Sequence, residues 1–206
     1  MANTLAPIGF VWHGTYGDQV SPTAGLITMK IAAGDTSSYG EFDPLKFLST
    51  GYVTAFTRGT GASQFAGNLK AVSYYSTGQG RRVWKNYWPG SDATGDVSAL
   101  VVPASGSIAP RFRVQSSGAT AITAGSIFNN VDVPASYLTA SSVVGGYYRS
   151  NATIDLAANI GTTATLPFRI IGLWSDIGAP GSPGTDNTTP YNWVLVEANN
   201  IQATGI

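Results

Sequence analysis

Short runs of β-branched and aromatic residues recur along the whole chain, and glycine, proline, asparagine or serine closes each run. Such runs favour β-strands, because branched and aromatic side chains pack well on a pleated surface. The predicted strands are residues 26–31, 52–57, 69–76, 81–87, 99–102, 111–115, 143–148, 153–156, 166–174 and 193–197. About ten strands at this spacing predict an all-β fold, an antiparallel sandwich or barrel of jelly-roll-like form.

Helical signals are sparse and the chain divides into two parts. Residues 43–48 predict one helical turn, with Asp43 as N-cap and Pro44 at the first helical position. Residues 1–25 contain Pro7, Pro22 and scattered aromatics, and we interpret them as an extended N-terminal arm. Residues 26–206 then form a single β-rich domain, with a hairpin turn at 77–80 and irregular loops at 88–96 and 178–190.

Composition narrows the function classes. Charged residues make up 11% of the chain, against roughly 25% in ordinary soluble domains. The net charge is +0, which argues against nucleic-acid binding and leaves little protection against self-association, so we expect a homo-oligomer. The chain has no cysteine, no run of eighteen apolar residues and no secretory signal at its start, so we expect synthesis in the cytoplasm without a membrane partner.

No set of residues identifies an active site, so the sequence predicts a protein that is not an enzyme and uses no cofactor or metal. His13 is the only histidine, and no nucleophile–base pair can be assembled around it. Asp92 and Asp96 share a loop that is suited to calcium, although solvated turn residues are the more common outcome. Arg81 and Arg82 can meet a phosphate or an acidic partner, and a solvated strand end is favoured there.

Two tryptophans are candidates for an aromatic surface. Trp84 and Trp88 fall on one nominal face if their strand stays regular that far. If both indoles are exposed, they would stack on sugar rings. If they are buried, they would contribute to the core, which is the more frequent role.

The order of several motifs resembles that of tailed-bacteriophage capsid decoration (cement) and related virion structural proteins. The start MANTLAPIGF is similar to their small-polar opening followed by Ala-Pro-x-Gly-Phe/Leu. Residues 83–90, VWKNYWPG, resemble their Tyr-Trp-Pro-Gly/Ala segment, and residues 111–115, RFRVQ, resemble their Phe-x-Val/Ile-Gln strand. The closing strands RIIGL (169–173) and WVLVEAN (193–199) also fit the pattern.

The resemblance implies a structural protein on the capsid exterior that bridges neighbouring major capsid subunits, with a trimer as the favoured oligomer. Its candidate capsid contacts are the arm residues Leu5, Pro7, Ile8, Phe10 and Trp12. The alternative is a glycan- or receptor-binding module of a phage tail fibre or adhesin, built around Trp84 and Trp88. A β-sandwich polysaccharide lyase or glycosidase is the enzymatic rival.

Overall fold

The computed structural model describes residues 3–15, 25–60, 64–104, 110–135, 142–144, 147–174 and 187–199. Within these residues the regular structure is almost entirely β. The strands are β1 (Val11–Thr15), β2 (Ile27–Ile31), β3 (Pro44–Phe47), β4 (Val53–Ala55), β5 (Phe65–Ser76), β6 (Arg81–Lys85), β7 (Val97–Pro103), β8 (Pro110–Gln115), β9 (Asn130–Asp132), β10 (Ser142–Val144), β11 (Tyr147–Arg149), β12 (Asp155–Gly161), β13 (Phe168–Leu173) and β14 (Trp193–Ala198). One turn of 3-10 helix, Ala124–Ser126, precedes β9.

Two antiparallel sheets pack as a sandwich, which confirms the predicted fold class. Sheet I has the order β1-β8-β14-β13-β9-β12, and sheet II has the order β2-β7-β5-β3-β4. The long strand β5 pairs with β7 along one edge; along its other edge it pairs first with β3 and then with β6. Strands β10 and β11 form a separate two-stranded ribbon.

Side-chain alternation explains how the strands meet the core. In β14, Val194 and Val196 are fully buried, while the residues between them are partly exposed. The same alternation holds in β8, where Phe112 and Val114 are buried. This period-two burial is what a sheet with one face on the core requires.

The apolar interior forms two clusters. The first lies between the sheets and contains Phe10, Phe65, Phe112 and Phe168. The second belongs to sheet II, whose end strands β2 and β4 lie next to each other, and it contains the fully buried Trp88. Strands β5 and β7 contribute side chains to both clusters.

Two glycines meet local backbone demands. Gly80 closes the β5–β6 hairpin with φ 63°, and Ser76 pairs with Arg81 across the turn, so the predicted hairpin is confirmed. Gly67 has φ 137°, and a Cβ atom there would lie 2.1 Å from the carbonyl oxygen of Val102. Only glycine permits this close approach of β5 to β7.

The predicted helical turn at residues 43–48 is wrong, because Pro44 begins strand β3. Proline is accepted at the first residue of a strand, since its missing N–H then costs no ladder bond. The Asp43 carboxylate still accepts a backbone hydrogen bond, but from Gly40 at 2.8 Å on its N-terminal side and not from a helix.

The N-terminal segment is extended and lies on the body. Of the predicted arm, residues 3–15 are described; β1 forms the edge of sheet I against β8, with a register shift between Trp12 and Gly14. Strand β1 was not predicted, because the pattern around His13 does not alternate. Of the predicted loop 178–190, residues 187–190 form turns and the remainder lies outside the described residues.

Candidate functional site

The five candidate capsid contacts occupy different environments. Phe10 is fully buried, with its ring centroid 4.6 Å from that of Phe168, and Trp12 packs against the same cluster. Pro7 and Ile8 are partly buried, and Leu5 is 46% exposed. In this structure only Leu5 presents a large apolar surface to a partner, and Phe10 is a core residue.

A buried amide fixes the start of the chain to the body. The Gln115 side chain accepts a hydrogen bond from the Ala6 N–H at 2.9 Å and donates to the carbonyls of Thr4 at 2.8 Å and Tyr191 at 2.9 Å. Further along, the Asn68 amide donates to the Phe10 carbonyl at 2.9 Å. Side chains from β8 and β5 therefore position the predicted arm.

Trp84 and Trp88, the two candidates for an aromatic surface, do not share one face. Trp84 is 64% exposed, whereas Trp88 is fully buried and packs edge-on against Tyr74 at 5.1 Å between centroids. Strand β6 ends at Lys85, so the alternation that would have placed both indoles on one face stops before residue 88. The core role is confirmed for Trp88 alone.

Asp92 and Asp96 do not converge on a common point for calcium. Asp92 accepts hydrogen bonds from the hydroxyls of Tyr74 at 3.0 Å and Ser76 at 2.9 Å. Partial burial opposes its ionisation, but these bonds and the Gly78 N–H keep the pKa of Asp92 below its ordinary value. Asp96 instead faces Tyr52 and Lys30, and the described residues contain no group of three candidate metal ligands.

A buried carboxylate lies where the N-terminal segment, the loop before β3 and the segment after β11 meet. Asp43 is fully buried; the hydroxyl of Ser150 and the N–H of Gly40 donate to it. Burial raises the pKa of Asp43 to about 6, against the lowering effect of those two bonds. Burial, and then the charge of Asp43, also raise the pKa of Tyr148.

The surroundings of Asp43 argue for a structural role. The N–H of Ala152 donates to Ser150 at 3.2 Å, so the hydroxyl has partners on both sides. A Cβ atom on Gly9 would lie 2.4 Å from the Ser150 Oγ, so the space above the pair is filled by backbone. A nucleophile needs room for a reacting atom about 3 Å away, and this pair has none.

His13 belongs to a cation–aromatic cluster on sheet I that the sequence reasoning missed. The guanidinium carbon of Arg113 lies 5.4 Å from the Trp174 ring centroid and 5.1 Å from that of Trp193. The His13 ring packs edge-on against Trp174 at 4.5 Å. The only signal in the sequence is that Arg113 alternates with the apolar Phe112 and Val114, which places it on the outer face of β8.

Phe128 is the most exposed large apolar side chain described, at 74%. Its φ is 69°, a left-handed conformation that is uncommon for an aromatic residue. Its N–H donates to the Ile170 carbonyl at 2.7 Å, which anchors the turn to β13. No periodic pattern in the sequence distinguishes this residue.

The outer surface of the β5–β6 hairpin carries a second exposed aromatic group. Ser73 pairs with Trp84, and Tyr75 pairs with Arg82, so these four side chains share one side of the hairpin, named here the hairpin face. Tyr75 is 50% exposed and Trp84 64% exposed. A flat, rigid surface of aromatic and guanidinium groups is suited to binding a partner, and it includes one of the two predicted tryptophans.

No helix among the described residues has the length and apolar character needed to cross a membrane. Comparisons with protein-family models, with curated proteins and with solved structures found no match to this chain.

Proposed function

We propose that this chain is a structural virion protein that binds the outer surface of a phage head and bridges neighbouring major capsid subunits. The motif order described above suggests this role, and a compact β-sandwich with little charge is suited to it. Trimers on the capsid exterior would give each copy several contacts with the shell, whose weak affinities combine through avidity. Closed symmetry would also limit open-ended association.

The hydrogen bonds and ion pairs of the acidic side chains are the observation that supports a binding role over a catalytic one. Every acidic side chain that the structure describes accepts a hydrogen bond or forms an ion pair within the fold. They are Asp35, Glu41, Asp43, Asp92, Asp96, Asp132 and Glu197. Exposed aromatic groups, in contrast, remain on the surface. The exposed aromatic side chains are thus available to a partner, whereas the described carboxylates are engaged by groups within the fold.

A second candidate is the glycan- or receptor-binding module. The exposure of Trp84 and Tyr75 favours it, because aromatic faces stack on sugar rings. Trp88, the second tryptophan of that hypothesis, is fully buried and does not contribute to the surface. Saccharide-dependent quenching of tryptophan fluorescence, absent in Trp84→Ala, would support this alternative.

Copy number per particle tests the main proposal. Virions of the phage that encodes this chain are purified, and isotope-labelled peptides quantify the chain against the major capsid protein and against one tail protein as the low-copy control. A ratio near one copy per capsid subunit is the expected result. A value close to that of the tail protein would transfer the chain to the tail, and absence from the particle would refute a virion role.

A further inference from the structure

The hairpin face is held in one arrangement before any partner arrives. The Tyr75 hydroxyl donates to the Gly80 carbonyl at 2.5 Å, so the ring lies over the turn. The Arg82 Nε donates to the Ser73 Oγ at 3.1 Å, so the guanidinium lies across the hairpin. Ordering long side chains at an interface costs free energy, and here much of that ordering is present in the free protein.

The same hairpin carries positive charge without an internal counter-ion. Among the described residues, neither Arg81 nor Arg82 has a carboxylate within 4.0 Å. The Arg81 Nε donates to the neutral Gln79 side chain at 3.2 Å. By contrast, Lys70 pairs with Glu41, and Lys85 lies 3.7 Å from Asp92. In a chain with net charge +0, Arg82 therefore places a positive charge without an acid on the hairpin face, while Arg81 lies on the opposite side of the same hairpin.

We propose that the hairpin face is the surface that contacts the capsid, and that it binds an acidic patch on a folded protein. This inference rests on the proposed function and specifies the chemistry of the partner. Trp84 supplies the apolar anchor, and Arg82 meets carboxylates at its edge. Tryptophan, tyrosine and arginine are the residue types that dominate binding energy at protein interfaces.

The hydroxyl groups of the hairpin face favour a protein over a saccharide. Sugar sites use a few well-placed polar groups in a concave pocket. Here the Tyr75 hydroxyl is bound to a turn carbonyl, and Ser73, 8% exposed, already accepts from Arg82. The face is part of an open two-stranded hairpin, which suits a broad contact better than a small ligand.

Binding of purified variants to heads assembled without this chain tests the proposal. The test variants are Trp84→Ala and Arg82→Ala; the matched controls are Phe128→Ala and Arg169→Ala, which remove an exposed aromatic and an arginine from sheet I or its adjoining turn. Co-sedimentation gives the half-saturating concentration of each protein. Circular dichroism melting verifies that each variant is folded.

We expect each test variant to need about 30-fold more protein for half saturation, the effect of losing one dominant interface residue. The controls should stay within about three-fold of the wild type, and added salt should weaken the wild type more than Arg82→Ala. Equal binding by all four variants would overturn the assignment of this face while leaving the capsid role intact. Failure of the wild type to bind heads would refute the proposed function itself. Wild-type binding to host lipopolysaccharide that Trp84→Ala loses, without binding to heads, would assign the face to a glycan.

Discussion

Truncating Phe10 tests whether the N-terminal segment is part of the folded body. The side chain is fully buried and packs on Phe168. The Phe10 N–H donates to the Phe42 carbonyl, and the Phe10 carbonyl accepts from the Asn68 amide. Phe10→Ala would leave a cavity at the centre of the first cluster. If the segment were an arm attached only to the surface, Phe10→Ala would not lower the stability of the body.

The expected loss can be estimated from the burial. Removing a fully buried phenylalanine typically costs about 3–5 kcal/mol, through lost transfer free energy and the cavity that remains. For a chain of this size, each kcal/mol lowers the melting temperature by about 2–4 °C, so we expect a fall of about 6–20 °C. Urea unfolding followed by tryptophan fluorescence gives the free energy of unfolding. An unchanged slope of that free energy against urea concentration would indicate that the variant exposes the same surface on unfolding.

The control is Leu5→Ala, from the same segment. Leu5 is 46% exposed, so its truncation should change the free energy of unfolding by less than about 1 kcal/mol. A loss below about 1 kcal/mol for Phe10→Ala would refute the reasoning, because the segment would then contribute no more than a surface attachment. Deletion of residues 2–12 should likewise destabilise the body, since it removes Phe10 and the first two residues of β1.

Three further predictions concern buried groups. The folded state binds a proton on Asp43 more tightly than the unfolded chain does. In urea titrations the wild-type free energy of unfolding, measured relative to that of Asp43→Asn, should therefore fall by about 2 kcal/mol as the pH rises from 3.8 to about 6. Trp88→Ala should cost about 3–5 kcal/mol in the same assay, and Trp84→Ala less than about 1 kcal/mol, because the first is fully buried and the second 64% exposed. Asn192→Ala should cost about 2–4 kcal/mol, because its amide pairs with both the N–H and the carbonyl of Ile122 at 3.0 and 2.8 Å, and both groups would be buried without a partner.

Each of these predictions has a contrary outcome. Parallel pH profiles for the wild type and Asp43→Asn would show that this carboxyl titrates as it does in the unfolded chain. Equal losses for the two tryptophan variants would contradict the end of β6 at Lys85. For Asn192 the control is Asn86→Ala, because the Asn86 amide reaches Glu41 only at 3.5 Å on a partly exposed surface. A similar loss in the free energy of unfolding for both variants would show that the buried amide has no special role.

Local patterns in the sequence predicted most of the strands and one turn, but they missed β1, β3 and β9 and gave one strand at 143–148 where β10 and β11 are separate. The β5–β6 hairpin needs only two neighbouring β-rich runs and a glycine-rich turn between them, so adjacent residues contain the whole signal. Residues 44–47 misled the prediction, because Asp-Pro is a common helix start as well as an acceptable strand start. Hydrogen bonding to β4 and β5 decides between those states, and the local sequence does not contain that information.

The candidate surfaces were harder to predict, because exposure depends on where a strand ends and which strand it meets. Trp88 is a core residue and not a contact because β6, and with it the alternation, ends at Lys85. The stacking of Arg113 with Trp193 requires β8 and β14 to be neighbours, although many residues separate them in the chain. Composition gives the number of charged residues, but it could not show that Arg81 and Arg82 lack an acidic partner among the described residues.

The position of β14 in sheet I determines the order in which this protein can fold during synthesis. Strand β14 lies between β8 and β13, so the last strand that the structure describes is an interior strand of its sheet. Sheet II uses only residues between Ile27 and Pro103 and can assemble as soon as these have left the ribosome. Until Ala198 follows, β8 and β13 each expose an unpaired edge, and such edges promote aggregation. A nascent chain stalled before Trp193 should therefore hold a folded sheet II beside an incomplete, aggregation-prone sheet I.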